Sequence, residues 1–284
     1  EVSQFTFSRE GTAWAYVALV GKRRVVMSST RQYVLPLRST VLQLRWVDYN
    51  TTPSLLIHVL LHNGHHQMIY NYATRVYTEV ELCDYENAVV YYGKRGRRMR
   101  VFVNGDESPW WNDIDDFTLA RDRKHYLYQA RKGKLWYIVQ SGEVGPSYTE
   151  ITNLALSSDG HRAFYCGRVR RQWFVVWDEI GYGPYKKVDR VHWGRLSEHW
   201  ATKVVQHGRA AVLWDGKLSR DWESVRSWSI YPFSDGSDCV YVANAYNTQW
   251  YLASFAQGHQ PVSDGVWDIE YHDDGHHIAY RVRS

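Results

Sequence analysis

One pattern recurs along the chain about every 37 residues, and that period limits the fold more than any single residue does. With the apolar residue that opens each copy as a ruler, the starts fall at Val2, Val41, Val80, Ile114, Ile151, Val188, Val225 and Val266. The intervals are 39, 39, 34, 37, 37, 37 and 41 residues. Each copy holds three runs with apolar residues at alternate positions and a weaker fourth run before the next start. In the fourth copy these are residues 117–120, 125–129, 135–139 and 146–148. Val, Ile, Tyr, Trp and Phe dominate them, as suits a pleated, half-buried surface. Helix start and stop signals and a 3.6-residue period are nearly absent. The pattern predicts an all-β chain, a β-propeller of seven to eight four-stranded blades. A β-sandwich or an up-and-down barrel also uses regular short strands, but neither needs the same turn at the same phase of every unit.

That turn is visible. Between the first two strands stand Ser8-Arg9-Glu10-Gly11, Ser157-Ser158-Asp159-Gly160 and His272-Asp273-Asp274-Gly275. The third strands read Val101-Phe102-Val103-Asn104-Gly105, Trp173-Phe174-Val175-Val176-Trp177-Asp178 and Val212-Leu213-Trp214-Asp215-Gly216. These residues resemble the bacterial WD40-like repeats of TolB-type propellers, whose first turn is Ser-Pro-Asp-Gly. The resemblance runs the length of the chain, although copies 2 and 6 lack the turn signature around residues 47–53 and 195–198. It implies a propeller. The family's functions are too varied for any one of them to be carried over.

Composition shows no linker or low-complexity tract, so the expectation is one propeller domain over residues 1–284. Fourteen Trp and 22 Tyr supply an aromatic core. No run approaches the ~18 apolar residues of a membrane helix. No signal peptide is visible, and no compartment is indicated. Cys83, Cys166 and Cys239 fall in strands of copies 3, 5 and 7, a placement that predicts buried free thiols and no disulfides.

Net charge is only +4, yet its distribution follows the repeat. The turn between the second and third strands is basic in copy after copy. It carries Lys22, Arg23 and Arg24; Lys94, Arg95, Arg97, Arg98 and Arg100; Arg131, Lys132 and Lys134; Arg168, Arg170 and Arg171; and His207 and Arg209. Copy 2 has His65 and His66 there, and copy 7 is neutral. The opposite turns are more acidic, with Glu10, Asp159, Asp273 and Asp274 in the first and Asp106, Glu107, Asp178, Glu179 and Asp215 in the third. In a propeller all second-to-third turns share one face, so the pattern predicts a basic face able to concentrate anionic partners. Loops between copies would bring Glu79, Glu81, Asp113, Asp115, Asp116, Glu150, Asp189, Glu223 and Asp264 inside that ring. The stretch from Trp110 and Trp111 to Asp116 is the most ligand-like. Its two tryptophans are read either as aromatic anchors for a sugar or peptide or as an outer strand packed on the next blade.

Other chemistry finds little support. His58, His62, His65 and His66 lack a carboxylate or thiol close in sequence to complete a metal site. No Gly-x-Ser-x-Gly elbow, phosphate loop or dinucleotide fingerprint occurs. The reading is a non-catalytic scaffold with no cofactor or metal, binding another macromolecule through its basic face. The residues are Lys94, Arg95, Arg97, Arg98, Arg131, Lys132, Lys134, Arg168, Arg170 and Arg171, with Trp110 and Trp111 as aromatic anchors. A protein is the first partner considered, followed by a polyanion or nucleic acid and then a small sugar or peptide. The alternative is a carbohydrate-active enzyme or lectin with its site at the central channel mouth.

Overall fold

A computed structural model describes residues 2–49, 52–71, 73–85, 88–194, 197–245, 249–262, 266–271 and 278–282. The residues read at 272–277, Asp264, Arg195 and Asn247 lie outside that set. Six four-stranded antiparallel sheets occupy 2–34, 40–77, 79–107, 113–148, 150–185 and 187–218. A seventh follows at 224–262, its first strand broken into Ser224–Val225 and Tyr231–Pro232 by a single 3-10 turn. A two-stranded sheet, Val266–Tyr271 with Ile278–Val282, comes last. Within each four-stranded sheet, strands adjacent in sequence are adjacent in space. The chain is therefore all-β and built of propeller blades, and each blade opens within one residue of the apolar residue that marks its copy.

The first turn explains why the repeat is spelled as it is. In blade 5 the Gly160 N–H donates to the Ser157 carbonyl (2.9 Å), and the Arg162 N–H donates to Ser157 Oγ (2.8 Å). Asp159 accepts from the His161 N–H (3.0 Å). Gly160 has φ +81°, and a Cβ there would lie 2.6 Å from that of His125, so both conformation and space select glycine. Two further blades make the same turn with Ala120 and Phe233 in the place of its leading serine. In blade 4, Asp122 accepts from the N–H groups of Lys124 and His125, with Arg123 at φ 62° in the glycine position. In blade 7 the Gly236 N–H donates to the Phe233 carbonyl, and Asp235 accepts from Ser237.

The described residues pack as two compact units. The first comprises residues 1–117, 128–134 and 141–144, and the second 118–127, 135–140 and 145–284. In the first unit, Val26 of blade 1 clusters with Ile57, Val59 and Ile69 of blade 2. Leu56, Met68 and Tyr70 of blade 2 cluster with Tyr91 and Phe102 of blade 3. In the second, Phe164 and Val175 of blade 5 meet Trp200 and Leu213 of blade 6, and Val212 and Trp214 of blade 6 meet Tyr241 and Ala253 of blade 7. The apolar layers thus lie between consecutive blades, because one amphipathic sheet cannot bury its face alone.

A specific lock recurs in these layers. The tyrosine that ends a blade's fourth strand lies over a glycine in the second strand of the next blade. Tyr77 covers Gly93 and Tyr148 covers Gly167. In each case a Cβ on the glycine would meet ring carbons at 2.4 Å. The Tyr148 and Tyr165 hydroxyls are hydrogen-bonded at 3.2 Å.

Candidate functional site

Each basic segment lies at the hairpin joining the second and third strands of its blade. Cross-strand register pairs Lys94 with Glu79 and Arg168 with Glu150. Ion pairs follow that register: Lys94 with Glu79 at 3.1 Å, Arg168 with Glu150 at 2.9 Å, and Arg131 with Asp113 at 3.0 Å. The acids that open the first strands therefore neutralise the innermost cation of the hairpin in blades 3, 4 and 5. The tips differ. Arg97, Arg98, Lys132 and Lys134 in the first unit are exposed, and none forms an ion pair among the described residues. The same holds for Arg170 and Arg171 of blade 5 in the second unit, where Arg168 also lies 5.7 Å from the Trp173 ring centre.

Arg95 takes another course. It reaches across to the preceding blade, donating from Nε to the Val76 carbonyl (2.9 Å), and lies 5.9 and 5.7 Å from the Tyr77 and Trp110 ring centres. There it joins Arg100, Glu107 and Trp110 together with two residues, Arg75 and Tyr77, that the turn pattern did not single out. Arg75 Nε and Arg100 Nη1 each donate to Glu107 at 2.5 Å, and the Tyr77 hydroxyl donates to the same carboxylate at 2.9 Å. Arg100 stacks 4.1 Å from the Trp110 ring centre. Burial, together with a Glu107 hydrogen bond, pushes the Tyr77 hydroxyl up to about 12, so it remains a donor at neutral pH. Arg75, Tyr77, Arg95, Arg100, Glu107 and Trp110 line a cleft of 270 Å³.

The two tryptophans part company. Trp110 is half-buried on this cleft, whereas Trp111 is only 5% exposed and forms a backbone bridge with Met99. It extends the blade's edge, as the outer-strand reading has it, and presents no surface for a ligand. The cause is local. The Val101 N–H donates to Ser108 Oγ (3.0 Å), so a side chain stands in for the ladder and lets the strand step out before Trp111 rejoins it. Blade 6 repeats the device, with the Val212 N–H on Ser219 Oγ (3.0 Å) and Trp222 bridged to Ala210. The shared Ser-x-x-Trp spelling, Ser108 to Trp111 and Ser219 to Trp222, was the sequence signal for it.

Among the described residues no group of three or more His, Cys, Asp or Glu is placed to hold a metal. His58 and His66 instead form a cross-strand hydrogen bond of 2.8 Å. Burial and the neighbouring His66 lower the His58 pKa to about 4. The folded state thus resists a proton that the unfolded chain accepts below 6.5, and stability falls as pH drops from 6.5 towards 4. The expected loss is on the order of 2–3 kcal/mol. Chemical denaturation at pH 7 and pH 4.5 of the native chain and of His58→Gln measures it, and the variant should lose less. Cys166 and Cys239 are buried and Cys83 half-buried, all as free thiols. Burial raises Cys83 to about 11 and Cys166 to about 12, which leaves them unreactive. Asp115 and Asp116 are exposed, and burial of its carboxyl followed by the charge of Asp115 raises Asp116.

The second unit has a larger cleft of 610 Å³ where first strands end. Leu119, Ala120, Leu156 and Trp193 form its apolar wall, and Ser158, Ser197 and Glu198 supply polar groups. Glu198 is ion-paired with Arg162.

No protein-family model and no curated protein matches the chain. Solved structures similar to it include a eukaryotic initiation factor, at 9% identity over 100% of this chain and 82% of that one, with a TM-score of 0.43. TolB from Acinetobacter baumannii is similar at 11% identity over 87% and 74%, with a TM-score of 0.33. A dihydro-heme d1 dehydrogenase is similar at 12% identity over 92% of this chain, with a TM-score of 0.32, and the chain spans 65% of its length. At these values the architecture rests on the sheets themselves. No helix among the described residues is long and apolar enough to cross a membrane.

Proposed function

We propose that the chain acts as one propeller domain and as a non-catalytic scaffold, engaging an acidic protein surface through its second-to-third-strand hairpins. The observation that carries this reading is the split between neutralised and free cations. Lys94 and Arg131 are held by acids of their own blades, while Arg97, Arg98, Lys132 and Lys134, a few residues further out, are exposed without an ion pair among the described residues. Unpaired cations at the surface steer an acidic partner and add to its on-rate. Lys94, Arg95 and Arg131 serve as the inner boundary of this surface. Arg168, Arg170 and Arg171 play the corresponding part on blade 5. Trp110 is the aromatic anchor that remains.

The test compares the native chain with a variant carrying Arg97→Ser, Arg98→Ser, Lys132→Ser and Lys134→Ser. Binding of labelled poly-glutamate, single-stranded DNA and heparin is measured at about 50 and 200 mM salt, the range over which phosphate-dominated binding collapses. Poly-glutamate affinity should fall at least tenfold in the variant, with stability within about 0.5 kcal/mol of native because the sites are exposed. Equal poly-glutamate binding by both proteins overturns the reading. Binding of DNA and heparin in preference to poly-glutamate replaces the protein partner with a polyanion.

A second reading, a sugar-binding site, is favoured by the Trp193 cleft, whose aromatic wall and hydroxyl-bearing rim suit a pyranose ring. A Trp193→Ala variant that loses binding across an oligosaccharide array would support it.

A further inference from the structure

The cleft on the edge of blade 3 carries a charge imbalance that its own residues do not resolve. Three guanidinium groups, Arg75, Arg95 and Arg100, face one carboxylate, Glu107. The side chains of Arg75, Arg100 and Glu107 are 21, 18 and 25% exposed, so these charges are partly withdrawn from water. Charges in such a setting are costly unless paired. Glu107 already accepts from Arg75, Arg100 and Tyr77, which uses most of its lone pairs. The Nε of Arg100 is enclosed and finds no acceptor among the described residues. Arg95 spends its Nε on the Val76 carbonyl, and its two terminal nitrogens have no acceptor among the described residues.

We propose that this cleft binds the phosphate of a phosphorylated side chain on a partner peptide. The net charge of its four ionised groups is three positive less one negative, or two positive. A phosphomonoester carries about −1.5 to −2 at neutral pH with three acceptor oxygens, and so matches that surplus. A carboxylate supplies half the charge and fewer acceptors. Arginine is also the side chain whose planar fork suits phosphate. At 270 Å³ the cleft lies below the roughly 300–1,000 Å³ range of drug-sized ligand pockets and admits a single group reaching in from a chain. Trp110 forms one wall and fixes Arg100 by stacking. The inference shares Arg95 and Trp110 with the hairpin reading but none of its four tip cations, so the tip variant and Arg95→Gln separate the two.

Calorimetry on the full chain tests it with a short glycine-flanked phosphoserine peptide, the same peptide with glutamate in its place, and inorganic phosphate. The phosphopeptide should bind at least tenfold more tightly than the glutamate peptide and than inorganic phosphate. Arg95→Gln, at an exposed site whose loss leaves the Arg75–Glu107–Arg100 cluster intact, should weaken phosphopeptide binding about tenfold, the worth of one charge-assisted contact of about 1.4 kcal/mol. The hairpin-tip variant should bind it like the native chain. Three results overturn the proposal: equal affinity for the phosphoserine and glutamate peptides, no change on Arg95→Gln, or inorganic phosphate binding as tightly as the peptide. Loss of binding in the tip variant with retention in Arg95→Gln moves the phosphate to the hairpins and removes it from the cleft.

Discussion

Replacing Trp222 by alanine is expected to destabilise the protein by about 3–5 kcal/mol, the range for emptying a buried indole site. Trp222 is 1% exposed and lies among Ala210, Val225, Tyr241 and Ala243. Its indole N–H donates to the Tyr241 hydroxyl (3.3 Å), and Arg220 stacks 4.0 Å from its ring centre. Truncation would therefore leave a void, free the Tyr241 hydroxyl and remove the platform under Arg220. At about 2–4 °C per kcal/mol for chains approaching this size, the melting temperature should fall by roughly 6–20 °C. Thermal melts by circular dichroism measure it, and a fall of less than about 2 °C, under 1 kcal/mol, would mean that Trp222 is not the keystone of its layer.

Gly167→Val should also be damaging, for the opposite reason. A single Cβ there would already meet Tyr148 ring carbons at 2.4 Å, and valine adds two methyl groups. Overpacking of this kind costs about 1–3 kcal/mol and occasionally more, since the ring or the strand must move. The clash is with a named partner, so a double-mutant cycle can isolate it. Gly167→Val combined with Tyr148→Leu should be more stable than the sum of the two single changes predicts. Strict additivity would show that the damage arises elsewhere, for instance in the strand's own backbone.

The spacing of Val2, Val41 and their successors carries the architecture in plain view, because alternation and turn chemistry are local and repeat. The basic hairpins are legible for the same reason. What the sequence hides are relations between strands. Nothing in the run from Lys94 to Arg100 tells that Lys94 faces Glu79, that Arg95 folds towards Tyr77, or that Arg100 shares Glu107 with Arg75. Those depend on register and on the contact between consecutive blades. The adjacent tryptophans 110 and 111 look equivalent as letters. One backbone step, released by the hydroxyl of Ser108, puts the first on a cleft and the second in the interior. Asp122 and Asp235 stand in turns whose leading serine is replaced by Ala120 and Phe233, because such a turn needs its hydrogen-bond acceptor more than that serine.

The tyrosine-on-glycine lock bears on how such a chain can change by duplication. Tyr148 belongs to one copy and Gly167 to the next, so inheritance of a whole copy as a cassette separates every lock at both of its borders. A segment cut just after a second strand would instead carry the tyrosine together with the glycine that receives it. Recombination between copies should therefore leave functional descendants more often at that boundary than at the borders of the visible repeat.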